Sequence, residues 1–283
     1  MTEAQMNRIV VAFFLMSGIL AAQEDQEIKG LAWHRYVTSN FTILSLEDDQ
    51  GLWMKNNLED IKYWCMTRWG FEDIRLSKEC RIFCVPDSSM LKKLFDLDSS
   101  RVEVRRKDGA IEITAMWISL DDKPARVVPT NLTKVLMAEM GQAQKSALPC
   151  WAVSGISMLN GTLQDIRYEI SSLSSGKCMP MESLLEMSYD QHDKLSADKK
   201  RVFDSQSAAM MLLVRKEFGE VKTHSLIEYA SKHGNAKAIR DVLGFRNVQD
   251  FEKTFLRFLS GLGGDIKAKV TPDSYLTIKK AGV

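Results

Sequence analysis

The amino-acid sequence predicts an α+β fold, a small mixed sheet with attendant helices followed by an α-helical subdomain. Short β-rich runs alternate with helical patterns between residues 40 and 118, whereas beyond Gly161 helical periodicity dominates. Glycines at 176, 219, 234, 244 and 261 punctuate that second half. The composition, 45% hydrophobic and 27% charged over 283 residues, is that of a folded protein with a sizeable core. The net charge of +1, without a basic run or stripe, gives no support for nucleic-acid binding.

The N-terminus carries a targeting pattern. Arg8 precedes an apolar run at 9–22 (IVVAFFLMSGILAA), and polarity rises at once after it. A basic flank, an apolar stretch of this length and small residues at its end describe a secretory signal peptide or N-terminal anchor over residues 1–22. The run is short of the roughly 20 residues that a membrane span requires. An exported protein is therefore expected, with membrane contact only through an uncleaved N-terminal segment.

Three segments follow the leader: an α+β domain at 23–161, a helical subdomain at 162–262 and a tail at 263–283. In the first domain, 40–46 (NFTILSL) reads as a strand. Asp48 or Asp49 can cap a helix that runs to Trp69, with Leu52, Lys55, Leu58, Ile61, Cys65 and Trp69 along one stripe and Gly70 as its stop. The run 81–85 is a buried strand ended by Pro86, and 88–95 a short helix. Strands at 102–104 and 110–118 flank the turn Lys107-Asp108-Gly109. Pro129 and Thr130 introduce a helix to about Lys145, Leu148-Pro149 breaks it, and 151–159 is the next helix. Helices are then expected at 165–173, 181–187, 203–218, 222–233, 236–243 and 248–259, with one strand at 274–278 in the tail.

The five cysteines leave at least one thiol without an intrachain partner; Cys80 and Cys84 share one face of a strand and read as small core residues. Asn-x-Ser/Thr sequons occur at Asn40, Asn131 and Asn160. The acidic pairs Asp48-Asp49 and Asp121-Asp122 read as caps and turns rather than calcium sites.

Two stretches carry more specific information: 134–143 (KVLMAEMGQA) and 148–159 (LPCWAVSGISML). With 205–219 (SQSAAMMLLVRKEFG) and 250–259 (DFEKTFLRFL), their order and spacing resemble the gluzincins, zinc metallopeptidases of the peptidase-MA type. The resemblance covers roughly residues 36–260 and rests most on Leu148, Pro149, Trp151 and Gly155, because no single motif is intact. It implies a gluzincin-like fold with active-site-type helices.

In such peptidases two histidines at i and i+4 bind zinc, the glutamate beside the first acts as general base, and a glutamate on the next helix completes the site. Carried over residue by residue, the first His position is Ala138, the base position is Glu139, the second His position is Gln142 and the third ligand position is Ser154. Ala138 offers no donor, and neutral amide or hydroxyl oxygens bind zinc far less well than imidazole and carboxylate. His34, His192, His224 and His233 form no i+3 or i+4 pair that could replace the ligands. The zinc site is thus expected to be lost and no cofactor is expected. Glu139 is left as a vestigial general base, since a lone carboxylate without metal generates no nucleophile.

The implied function is that of a catalytically inactive metallopeptidase homologue that binds a protein or peptide. Its cleft would be lined by Trp151, Gly155, Ile113 and Ala115, with the strand at 110–118 as an edge that a peptide could extend. The alternative is a structural or assembly component using the fold as scaffold, and a distant third is an active zinc peptidase with rebuilt ligands.

Overall fold

The computed structural model of the chain describes residues 25–28, 30–107, 110–122, 124–161, 170, 173 and 178–265. The apolar leader at 9–22, the turn at 108–109, most of the helix expected at 165–173, Gly176 and the tail strand at 274–278 lie outside the described residues. The chain forms two compact units, one of Met1–Trp64 with Arg75–Asn131 and one of Cys65–Ile74 with Leu132–Val283. Residues 132–161, including the motif-bearing stretches, therefore belong to the helical unit.

The first unit is built on a mixed sheet. Its strands are β1 (Asp25–Ile28), β2 (Leu31–Val37), β3 (Phe41–Ser45), β4 (Cys80–Val85), β5 (Arg101–Lys107) and β6 (Ala110–Ser119), in the order β1-β2-β3-β4-β6-β5. Pairing is antiparallel from β1 to β3, parallel across β3, β4 and β6, and antiparallel between β6 and β5. The period-2 pattern places opposed residues on common faces. Leu44, Phe83 and Trp117 stand in line across three strands, and so do Ile43, Ile82 and Met116. The first row joins Trp33, Val85 and Ala115 in a core cluster with Leu91 and Leu94 of helix α2 (Ser88–Phe95). Cys80 and Cys84 are both fully buried on the opposite face, as their spacing predicts.

Strand β6 corrects one expectation. It is an interior strand, because β4 pairs with it over Thr114–Ser119 on one side and β5 over most of its length on the other. Among the described residues the two edges are β1 and β5. The hairpin that follows β5 folds β6 back inside it, an order that local periodicity does not encode. Strands β1 and β2 are also additional to the expectation: in β2 only Trp33 is fully buried, so the alternation that announces a strand is thin.

Helix α1 (Asp48–Thr67) buries the predicted stripe at Leu58 and Cys65 but not at its N-terminal end. Met54, Leu58, Lys62, Cys65 and Met66 are buried, whereas Leu52 is 43% exposed and Lys55 is exposed. Gly51 decides this. A Cβ there would stand 2.3 Å from the Tyr36 ring and 3.0 Å from Ser45 Cβ, so the helix approaches the sheet on its glycine and turns Leu52 outward. Glu59 ties α1 to the β2–β3 turn, accepting from Thr38 Oγ1 (2.7 Å), the Asn40 backbone N–H (3.0 Å) and Asn40 Nδ2 (2.8 Å).

Helix α3 (Pro124–Ala143) begins more than a turn earlier than expected. Pro124 occupies its first position, where a missing N–H costs nothing, and the helix continues through Pro129. The second unit holds the rest of α3 with α4 (Cys150–Leu159), α5 (Met181–Leu185), α6 (Tyr189–Asp193), α7 (Ala197–His233), α8 (Asn235–Asp241) and α9 (Val248–Asp265). The short α6 was not anticipated; a capping box between Ser188 and Gln191 sustains it. Helix α7 starts at Ala197 rather than Phe203 and breaks at Gly219, whose φ of 81° and ψ of 174° only glycine adopts readily. Gly261 does not end a helix but lies within α9. Met137, Met140, Met210 and Met211 are core residues, as their apolar stripes predict, while Met158 is only partly buried.

Candidate functional site

The positions that the resemblance assigns to a metal site lie on α3 and α4, which one buried side chain joins. Asn160, fully buried at the end of α4, accepts from Trp69 Nε1 (2.8 Å) and donates to Thr133 Oγ1 of α3 (2.7 Å) and to the Cys65 carbonyl (3.1 Å). The short connection between Ala143 and Cys150 links the end of α3 to the start of α4. Glu139 lies six residues after Thr133 and Ser154 six before Asn160. At 1.5 Å per residue each stands about 9 Å along its own helix from the Thr133–Asn160 hydrogen bond. The resemblance assigns these two positions to a base and a third ligand.

The local sequence explains why α4 sits so close to α7. A Cβ at Gly155 would meet the Ser207 carbonyl oxygen at 2.7 Å and Met211 Cγ at 2.8 Å. Only the absence of a side chain there, facing a small-residue stretch of α7 (Ser205, Ser207, Ala208, Ala209), permits the approach. Trp151 is buried, and its indole N–H donates to Asn235 Oδ1 at 2.9 Å. Trp151 and Gly155 thus serve packing rather than lining an open cleft. Ala115 likewise lies in the core cluster of the first unit, and Ile113 pairs in register with Arg105 of β5.

Glu139 is 3% exposed and engaged by a neighbour, while Ala138, Gln142 and Ser154 are partly buried. Ser154 is committed elsewhere. Its hydroxyl donates to Asp204 Oδ1 of α7, and His192 Nε2 of α6 lies 3.3 Å from the same oxygen. His192 Nδ1 is 3.8 Å from Asp193, and its ring packs on Phe203 with centroids 5.0 Å apart. Cys150, one turn before Ser154, has its thiol pushed up to about 12 by burial and then by the charges of Asp204 and Asp193.

These groups do not form a nucleophilic relay. In a serine nucleophile the hydroxyl hydrogen-bonds to the imidazole that takes its proton. Here the hydroxyl and the imidazole both address the carboxylate, so Ser154 is held rather than activated. The Cys150 thiol stays protonated at neutral pH and lacks the thiolate that reactivity requires. Nor do the residues fit zinc: Ala138 carries no donor, Gln142 offers an amide, and the Ser154 hydroxyl is spent on Asp204. Among the described residues no three His, Cys, Asp or Glu side chains gather as a metal-binding group.

Asp204 and His192 were not singled out as members of this cluster from the sequence. They lie 50 and 38 positions from Ser154 (154 to 204 and 154 to 192), and no local motif links them. The sequons Asn40 and Asn160 are found 7% and 0% exposed, their amides consumed by internal hydrogen bonds. Compared with protein-family models and with curated proteins, the chain matches none.

Proposed function

We propose that this protein is a catalytically inactive homologue of the gluzincin metallopeptidases, exported through its N-terminal segment, that acts by binding a protein or peptide. The observation that carries the reading is the state of Ser154. At the position where the resemblance expects a third zinc ligand, a hydroxyl is tied to Asp204 instead. Zinc generates the nucleophile and stabilises the oxyanion in such peptidases, and without it Glu139 has no water to activate. A bound peptide would add to the free side of β5, an edge among the described residues, through main-chain hydrogen bonds.

The test is metal analysis together with a peptidase assay on the purified chain. Substoichiometric zinc and no cleavage of a peptide library are expected. One zinc per chain, lost on Gln142→Ala or Ser154→Ala, would sink the reading.

A second reading, a structural or assembly component, is favoured by one observation: Glu139 is buried and Trp151 and Gly155 are consumed by packing, which suits a scaffold more than an open groove. Pull-down with a β5 variant separates the two. Arg105→Pro, which interrupts the β5 backbone that a peptide strand would pair with, abolishes partner capture in the first reading and leaves it intact in the second.

A further inference from the structure

A cavity of about 420 Å³ opens between α7 and α9, lined by Leu213, Lys216, Phe218, Thr254, Arg257 and Phe258, with Glu217 and Gly261 at its margin. Its size falls in the range of small-molecule sites, roughly 300–1,000 Å³. Its walls are of two kinds. Leu213 is buried, and Phe218 and Phe258 are half-buried, which supplies an apolar body. Lys216 and Arg257 supply positive charge, and neither is ion-paired to a carboxylate among the described residues. Lys216 Nζ instead lies 5.7 Å from the Phe258 ring centroid. The Arg257 guanidinium is steadied on its own helix, Nε donating to the Lys253 carbonyl and Nη2 to Thr254 Oγ1, both at 3.3 Å. Those two bonds leave most of its five N–H donors for a planar anion.

We propose that this cavity binds a small organic monoanion with an apolar body, a medium-chain carboxylate being its simplest form. The carboxylate engages Arg257 and Lys216 while the chain lies between Phe218 and Phe258 over Leu213. Glu217 at the margin offsets one of the two cations, which sets the preferred ligand charge at one rather than two. The site is independent of Glu139 and Ser154 and does not rest on any relation to peptidases.

The test is a titration of the full chain with octanoate and with its neutral isostere octanamide, read by chemical-shift changes of labelled backbone amides. Saturable 1:1 binding of octanoate is expected, at least tenfold tighter than octanamide, with the largest shifts at 213–218 and 254–261. Arg257→Gln should remove that preference and Glu217→Gln should sharpen it. Both positions are exposed, so the melting temperature serves as a check that each variant is folded. The proposal is overturned if octanoate does not saturate, if octanamide binds equally well, or if Arg257→Gln keeps the preference.

Discussion

Ser154 of α4 donates its hydroxyl hydrogen to Asp204 of α7, and His192 of α6 approaches the same carboxylate oxygen. One carboxylate therefore gathers three helices of the second unit. Hydrogen bonds to charged groups contribute about 1.5–3 kcal/mol when well sheltered, and less where, as here, the carboxylate side chain is 40% exposed. Ser154→Ala is expected to cost about 1 kcal/mol in urea denaturation. Asp204→Asn should cost more, because it removes the charge that serves both partners. Equal effects would mean that the histidine contributes nothing.

The proposed loss of a metal site can be tested by building one. Ala138 and Gln142 are partly exposed and one turn apart on α3, so Ala138→His with Gln142→His places two imidazoles on one face. The double variant is expected to take up zinc in equilibrium dialysis where the parent chain takes up none. Failure of the variant to bind zinc would argue that these positions never faced a metal.

Gly155 predicts a steric effect. An alanine Cβ 2.7 Å from the Ser207 carbonyl oxygen must push α4 from α7, since that neighbour is backbone and cannot rotate away. Gly155→Ala should destabilise the chain by about 1–3 kcal/mol, the range for overpacking, despite the higher helix propensity of alanine. A melting temperature at or above that of the parent would contradict the contact.

Asn160 makes a related prediction. Its replacement by Ala leaves the Trp69 indole N–H and the Cys65 carbonyl of a buried joint without their partner, each worth about 1–3 kcal/mol. A loss of at least about 2 kcal/mol is expected. Because the amide is wholly internal, the folded chain produced in a glycosylating host should carry no glycan at Asn160 by mass spectrometry.

Alkaline pH should weaken the fold. Burial pushes the thiols of Cys65, Cys84 and Cys150 up to about 12. Unfolded cysteine ionises near 8.5, so between about pH 8.5 and 12 the unfolded state binds fewer protons than the native state. Stability is then fully present below the unfolded pKa and falls as pH rises, by about 1.4 kcal/mol per pH unit for each thiol. Cys84→Ala, which removes one of these groups, should flatten the pH dependence of the denaturation midpoint between pH 9 and 11. An unchanged slope would contradict the burial of Cys84.

The sequence by itself determined the α+β order, the helical second half and most element positions. These are properties of short windows: apolar β-rich runs at 41–45 and 80–85, 3.6-residue spacing in α4 and α9, and glycines at 219, 234 and 244, all found at positive φ. Leu148 and Pro149 also mark where α4 begins, and Gly155 marks where it lies close to a neighbour. Only the tertiary structure decided that β5 rather than β6 is an edge, that α1 rests on Gly51 and turns Leu52 outward, and that Ser154 is spent on Asp204. Each of those outcomes depends on a partner distant in the chain. Local periodicity specifies which residues want burial or a hydrogen bond, but the choice of partner is made by strand order and by the close approach of backbones within each unit.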